Sequence, residues 1–503
     1  MTLQRDTLVA LALSFVALAF GLGFFEDELA TWGDNAQFIV LAQSLATGKG
    51  LREINHPEEP AHRKFPPGWP VMLAPFQLLK GRAALLSMKL LVLTLFAGSV
   101  PLLFFLLRRW GESRALALSV ALLFATNRLS LIFAHQIMSE VPYLACVLLA
   151  LFWDAHLQRE GQGVGRWRVG AVVLTAAWAM SVRSIGVAFV FALLLRWMFA
   201  RRFRHSGVLL LVAAAFFFLV AWMRSGGEST NYVSQLLLID FYNPAAGTVG
   251  LDELFARVIS NVARYLPVLL PDSLLPLEHA PPLRWVALLL ISVGLVHYLR
   301  RLHVVALYAI FYLGVLMLWP RAWAVHRMVV PLLPFTLLFA AKGCALLWAW
   351  SERLTRFERP RLTLALLALA LSSASLWNVQ DATTRPPRSA PARAYTRSLH
   401  WLADHSDEKS VILCRKPYLT YLISKRKTVP LPRARGRRAY DETLKRYGVT
   451  HVIYDRLPLP GTKEVLRPRL REQRARYQLL FATGSPRTLV LGVKGRGARG
   501  GRR

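Results

Sequence analysis

At 503 residues with 54% hydrophobic content, the chain carries more apolar sequence than a single soluble core of its length requires, so an ordinary one-core soluble protein is excluded first. The formal charge of +33, from 62 Lys and Arg against 29 Asp and Glu, sits oddly beside that apolarity and makes the placement of the cations informative. Three cysteines, Cys146, Cys344 and Cys414, offer neither a paired framework nor metal-ligand spacing, and no disulfide is expected.

In chain order, the first apolar run is Leu8 to Phe25, behind a short stretch containing Arg5. It lacks a small-x-small cleavage site and runs into Glu26, Asp27 and Glu28, so it reads as a retained membrane span rather than a signal peptide. Further runs follow at Ala83 to Leu107, Ala115 to Thr126 with its continuation, Val141 to His156, Val169 to Val182, Ile185 to Ala200 and Val208 to Met223. The last are Leu283 to Leu299, Val304 to Trp319, Met328 to Trp350 and Leu362 to Trp377. Together they predict about eleven helices crossing roughly 30 Å of hydrocarbon.

The basic connections alternate. Arg5, Arg108-Arg109 with Arg114, Arg166 with Arg168, Arg201-Arg202 with Arg204, Arg300-Arg301 and Arg353 to Arg361 fall on one side, which the positive-inside rule makes cytoplasmic together with the N-terminus. The opposite side receives residues 26–82, the turn Asn127 to Glu140, the long connection 224–282, Pro320 to Arg327, and everything after Trp377. One face is therefore elaborated with loops. Neither an internal repeat nor an inverted pair of interrupted spans is present, which speaks against a secondary transporter.

From Pro386 the composition shifts. A Pro/Arg linker leads into short strand patterns at Val411 to Cys414 and His451 to Asp455, with helical patterns at Ala394 to His405 and Tyr440 to Tyr447. The expected organisation is a membrane part over 1–380, a small α/β domain on the outer, periplasmic side over 381–495, and a basic tail over 496–503. The tail is either a solvated end or a contact for anionic lipid headgroups or phosphorylated glycans. A nucleic-acid partner is not expected.

The first outer loop is the richest stretch for chemistry. Asp34 lies just beyond the first span, where a carboxylate is a candidate general base for an acceptor hydroxyl, or else a solvated acid or the N-cap of the following helix. Glu140 opens a later span and is either a second such acid or an ordinary first-turn acid favoured by the helix dipole. Lys64, Arg183, Arg321 and Arg327 fall at outer span ends, against the positive-inside bias. They suit a lipid phosphate, Arg through paired hydrogen bonds and Lys as a point charge, or they snorkel to the headgroups of the bulk bilayer. Arg52, His56 and His62 share the loop as candidate acceptor contacts. The two histidines lie in a Pro-rich loop without i, i+4 helical spacing, so no metal site is read there. Gly161 to Gly165 resembles a nucleotide turn only loosely, and with no strand before it reads as a linker.

The segments "GDNAQFIVLAQSLATGKG" around Asp34, "KFPPGWP" from Lys64, "HQIMSEVPY" around Glu140 and "RAWAVHRMVVPLLP" around Arg327 resemble the GT-C superfamily of membrane glycosyltransferases. Within it, they are most similar to the protein O-mannosyltransferase-like family that includes lipid A aminoarabinose transferase-like proteins. The resemblance implies a GT-C-like bundle and an inverting transfer from a polyprenyl-phosphate sugar to a glycan, lipid or protein acceptor. It implies Asp34 as the principal catalytic carboxylate with Glu140 as a second, Lys64 as the basic residue ahead of the paired prolines, and no cofactor or metal. The competing expectation is a transporter or flippase of lipid-linked saccharides, which should concentrate ionisable groups near the bilayer midplane.

Overall fold

The computed structural model describes residues 2–79, 81–159, 166–223, 235–240, 246–277, 280–355, 389–432, 436–458 and 461–495, with the isolated positions 370, 373, 374 and 377. The expected span from Leu362, most of the basic stretch before it, the Gly161–Gly165 segment, the Pro/Arg linker and the basic tail lie outside the described residues.

The apolar runs form helices because a chain in hydrocarbon has no water to satisfy its backbone N–H and C=O groups. In order they are α1 (Thr2–Gly23), α2 (Asn35–Ala46) and α3 (Gly68–Leu73) in the first loop, α4 (Gly81–Arg109), α5 (Arg114–Thr126), α6 (Arg128–Phe133), α7 (Glu140–Arg159), α8 (Arg166–Val182), α9 (Gly186–Phe199), α10 (Phe203–Met223), α11 (Leu251–Arg264), α12 (Pro281–Leu299), α13 (Val304–Leu318) and α14 (Leu333–Thr355). Helices α1, α4, α7, α12 and α14, the last with its preceding turn, are long and apolar enough to cross a membrane by themselves. Helices α5, α8, α9, α10 and α13 are shorter apolar helices. The chain is thus a helical polytopic membrane protein, with ten of the expected runs forming helices within a few residues of their expected limits.

Close packing in the bundle uses glycine where hydrocarbon supplies no hydrophobic drive between helices. A Cβ at Gly294 of α12 would lie 1.9 Å from the Phe339 carbonyl oxygen, and one at Gly343 of α14 would lie 2.0 Å from that of Leu290. Each helix therefore presents a glycine to the other's backbone.

The long connection before α12 hides an element that sequence reading left as loop. Along α11, Leu251, Phe255, Ile259 and Val262 form an exposed apolar stripe, while Arg257 and Asn261 are buried on the other side. Asn261 donates to the carbonyls of Leu316, Met317 and Trp319, and Arg257 to those of Leu236, Leu238 and Leu318. The bonds to Met317, Leu318 and Trp319 reach carbonyls at the end of α13, where intrahelical partners run out, and those to Leu236 and Leu238 tie α11 to the segment 235–240. An apolar face turned outward with a polar face turned in is the arrangement of a helix lying in a membrane interface.

The C-terminal part holds α15 (Ala390–His405), β1 (Val411–Cys414), α16 (Pro417–Ser424), β2 (Lys427–Pro430), α17 (Arg437–Arg446), β3 (His451–Tyr454), β4 (Tyr477–Ala482) and β5 (Leu489–Val493). The sheet order is β2-β1-β3-β5-β4, with β1 parallel to β2 and β3, and β5 antiparallel to β3 and β4. Side chains alternate across it with the two-residue period of a strand. Ile412, Cys414, Ile453 and Val490 pack under α15 and α16, and Leu413, Val429, Val452, Leu491 and Val493 pack against α17. Sequence reading finds β1 and β3 with their helices; it misses β2, which contains Lys427 and Pro430, and the β4–β5 hairpin.

This domain is bolted to the first loop. Thr428 N–H donates to the Asn55 carbonyl at 2.7 Å, Lys427 bonds the Ile54 carbonyl and pairs with Glu59, and Arg446 pairs with Glu58. Gln37 of α2 donates to the Tyr418 hydroxyl at 2.7 Å, and Ala36 packs into the core beneath α16.

Because both glycine contacts sit against backbone, Gly294→Leu is expected to force α12 and α14 apart. It should lower the apparent melting temperature in detergent by an amount corresponding to about 1–3 kcal/mol, whereas Gly314→Leu on α13, where a Cβ would meet nothing within 4 Å, should change it little.

Candidate functional site

The face that carries the loops gathers four chain segments around one cluster of charge. The first is the turn into α2. Gly33 has φ +70°, and a Cβ there would lie 2.7 Å from the Met138 sulfur, so only glycine lets the turn approach the segment ahead of α7. Asn35 closes the turn by donating to the Trp32 carbonyl at 3.1 Å. Asp34 follows, at the N-cap position of α2, but its carboxylate makes no capping bond. It accepts from the Arg327 guanidinium at 2.7 Å.

Arg327 lies in the short helical turn His326–Leu332 that leads into α14, and its Nε is 3.4 Å from Glu140 Oε1. Glu140, the first residue of α7, has no exposed surface, and Arg183 at the end of α8 reaches the same oxygen at 2.6 Å. Arg183 also donates to the Ser139 hydroxyl at 3.1 Å. The four residues form an unbroken chain, Asp34 to Arg327 to Glu140 to Arg183. Asp34 stands at the N-cap position without capping, and Glu140 is the first-turn acid of α7 but is also fully buried beside two guanidiniums.

Lys64 joins this cluster electrostatically. Its ammonium lies 4.9 Å from the centre of the Phe65 ring and 5.6 Å from that of Trp323. The following Phe65-Pro66-Pro67-Gly68 segment is fixed against α8, since a Cβ at Gly68 would lie 2.7 Å from the Ser181 carbonyl oxygen. Burial by itself raises the Asp34 carboxyl, but Arg327, Lys64 and Lys416 outweigh it and hold the group well below the usual carboxylate range. Asp34 is consequently ionised at any physiological pH.

The remaining expected site residues lie outside the Asp34–Arg327–Glu140–Arg183 chain. Arg321 pairs with Glu253 of α11 at 3.2 Å and is half-exposed. Arg52 donates to the Glu59 carbonyl and forms an isolated bridge with Ala61. His62 is buried, with Nδ1 on Glu53 at 3.0 Å and Nε2 accepting from Phe65 N–H at 2.9 Å, so both ring nitrogens are spent on the loop. His56 accepts from Glu58 N–H and packs its ring edge-on against Tyr447. Arg52, His56 and His62 shape the first loop, and the two histidines line the same cavity as Asp34.

Above Asp34 a cavity of about 690 Å³ opens between the first loop and the C-terminal domain, with Asp34, Gln37, Lys64, Lys416, Tyr418 and Tyr447 among its lining. Lys416, which sequence reading missed, sits between β1 and α16, with its Nζ 3.4 Å from the Gly33 carbonyl oxygen. A signal for it was present. The Arg415-Lys416-Pro417-Tyr418 run directly follows the expected strand Val411 to Cys414, and sites in open α/β sheets cluster beyond the carboxyl ends of strands.

No family model matches the chain, and no curated protein matches it. Solved structures do. ArnT from Cupriavidus metallidurans bound to undecaprenyl phosphate superposes with a TM-score of 0.60 at 13% identity, over 100% of this chain and 99% of that one. The chain has the GT-C fold. ArnT in the apo state gives a TM-score of 0.57 at 12% identity over 97% of both chains. The Archaeoglobus fulgidus oligosaccharyltransferase tethered with an acceptor peptide gives 0.58 at 10% identity, over 96% of this chain and 74% of that one. The GT-C likeness spans both the membrane bundle and the C-terminal domain of this chain.

Removing one partner of a buried ion pair leaves the other charge uncompensated, at a cost of roughly 3–5 kcal/mol. Arg183→Leu, which strips Glu140 of its nearer guanidinium, is therefore expected to lower the melting temperature sharply, and Arg183→Leu combined with Glu140→Leu should recover part of the loss. Thermal unfolding of the three proteins in one detergent checks this.

Proposed function

We propose that the chain is an inverting integral-membrane glycosyltransferase that moves a sugar from a polyprenyl-phosphate donor to an acceptor hydroxyl on the outer face of a bacterial inner membrane. The observation that carries this reading is the charge cluster at the loop-bearing face, where Asp34 stands among Arg327, Lys64 and Lys416 at the foot of a cavity, in a GT-C fold. The ArnT structure that covers the whole chain was solved with undecaprenyl phosphate, a ligand of the kind these cations suit. The sequence resemblance and the alternation of basic connections support the same assignment: an N-terminus in the cytoplasm, a membrane part over 1–380 and an outer domain over 381–495. Glycan, lipid and protein hydroxyls remain equal candidates for the acceptor. The ionisable cluster sits at span ends beside elaborated loops, which favours an enzyme over a flippase of lipid-linked saccharides.

In the proposed reaction the acceptor oxygen attacks the anomeric carbon from the face opposite the phosphate. The new C–O bond forms as the bond from that carbon to the phosphate oxygen breaks, the electron pair leaves on polyprenyl phosphate, and Asp34 takes the hydroxyl proton. Negative charge grows on the departing phosphate, so Lys64, Arg183 and Arg327 stabilise the transition state more than the ground state. Glu140 positions: it touches both arginines and keeps them at the cluster. A carboxylate tied to Arg327 is a weak base. A phosphate that draws the guanidinium toward itself loosens that tie and returns basicity to Asp34 when the acceptor is to be deprotonated.

Membranes carrying the protein should transfer label from a polyprenyl-phosphate sugar, and Asp34→Asn should cut the rate by about 10²–10⁴, the usual contribution of a positioned base. Transfer unaffected by Asp34→Asn would remove that residue from the mechanism. The absence of transfer from every polyprenyl-phosphate sugar offered to wild type would remove the enzyme reading.

The folded Asp34 carboxyl lies below its unfolded value, so its pairing stabilises the protein above the ordinary carboxylate range and is lost as pH falls through the folded value. No acid limb from Asp34 should appear in kcat/KM between about pH 5 and 8. A pH–rate profile of wild type checks this: an acid limb there that persists in Arg327→Gln but vanishes in Asp34→Asn would contradict it.

A further inference from the structure

We propose that Lys416 of the C-terminal domain is a ligand of the donor phosphate, so that the phosphate site is assembled from both parts of the chain and is incomplete unless the domain is docked on the first loop. This deepens the donor reading above and rests on it.

Placement is the first argument. Lys416 is held in a short segment between the buried Cys414 at the end of β1 and the start of α16. The next residue, Pro417, accepts through its carbonyl from the Thr428 hydroxyl at 3.1 Å. That hydroxyl in turn accepts from the Asn55 amide of the first loop at 3.1 Å. The segment is thus tied to the loop that carries Asp34, and Lys416 crosses the seam to lie by Gly33.

Unspent bonding capacity is the second. An ammonium has three N–H donors. Here its hydrogen bond among the described residues is a long one, 3.4 Å to the Gly33 carbonyl, while the side chain lines the 690 Å³ cavity. Such a group has donors to offer a ligand entering from that cavity.

Charge is the third. The groups facing Lys416 are Asp34 from the first loop, which favours its cation, and Arg415, Arg327 and Lys64 from three different elements, which oppose it. Burial comes first and the neighbouring cations add to it, so the ammonium is pushed down to about 8. A cation held among cations at the edge of a cavity is relieved by an anion. Lys64, Arg183, Arg327, Arg415 and Lys416 outnumber Asp34 and Glu140, a surplus of positive charge that suits a departing phosphate monoester, and lysine serves such a group as a compact point charge.

The test uses the full chain in lipid nanodiscs and undecaprenyl phosphate as the probe, with affinity read by native mass spectrometry. Lys416→Gln is expected to weaken binding by roughly tenfold or more, the scale of one charge-assisted hydrogen bond. Lys416→Arg should restore it, and Lys445→Gln, on the exposed side of α17, should leave it unchanged. Wild-type affinity should fall as pH rises from about 7 to 9.5, because the cation is present below its titration and lost above it. In Lys416→Arg that fall should flatten, since arginine does not titrate there.

Equal binding by wild type and Lys416→Gln overturns this proposal alone. Failure of wild type to bind the probe overturns it together with the donor reading. If the Gln variant does not fold, a wild-type affinity that stays flat across that pH range decides against the proposal.

Discussion

The buried chain from Asp34 through Arg327 and Glu140 to Arg183 is the constraint on which the loop-bearing face depends. Its members come from the first loop, the turn before α14, the start of α7 and the end of α8, so no one of them has its electrostatic partner in its own element. Glu140 has no exposed surface, and a carboxylate taken out of water in that way is costly unless guanidiniums stand against it. Four helix ends are therefore held in one relative arrangement by charge, at the level where the bundle gives way to loops. The tyrosines packed below, Tyr143 with Tyr308 at 3.1 Å and Tyr312 bonded to the Met328 carbonyl at 2.9 Å, fill the space with polar groups that satisfy one another and the turn carrying Arg327.

A second layer of constraint works from above. The first loop packs on the bundle through Phe38, Leu41, Phe65 and Trp69, and its other side is held by the C-terminal domain: Asn55 pairs with the edge of β2, Glu58 and Glu59 pair with Arg446 and Lys427, and Gln37 bonds Tyr418. The Thr428–Asn55 bond also occupies a backbone donor on the β2 edge. Asp34 is placed by two bodies at once, from below through Arg327 and from above through α2. That explains why a small α/β domain is joined to the membrane bundle over so many polar contacts, and how a domain at the far end of the sequence brings Lys416 to the turn at Gly33.

What the sequence made legible follows from the range of the forces involved. Lipid exposure is a local demand, so span length and alternating basic turns revealed the bundle, and the first-loop, HQIMSE and RAWAVHR segments marked Asp34, Glu140 and Arg327. Convergence was harder to read. Arg321 and Arg327 are alike in sequence, both cations in one short connection, yet Arg327 turns inward to two carboxylates while Arg321 meets Glu253 on α11. That helix, α11, escaped because its polar residues face inward and its apolar stripe faces out, with only the usual amphipathic spacing to betray it. The β4–β5 hairpin escaped because β4 is an edge strand with Leu479 exposed, so inside and outside positions do not separate cleanly. His56 and His62 stand out by residue type, and in the folded loop His56 Nδ1 accepts from backbone, His62 meets Glu53 and the Phe65 N–H, and both line the cavity with Asp34.

The same cluster explains how cations gathered from separate elements stay folded side by side. Arg183, Arg327 and Lys64 repel each other, and the repulsion acts at the end of the bundle where helix ends are held by their neighbours. Glu140 answers part of that repulsion permanently, being fully buried between Arg183 and Arg327. Asp34 answers another part conditionally, from a partly exposed position on a loop. The two carboxylates differ in setting: Asp34 is partly exposed and lines the cavity, whereas Glu140 has no exposed surface and is held between Arg183 and Arg327. One carboxylate thus fixes the guanidiniums from inside the packing, and the other meets Arg327 from the side of the cavity.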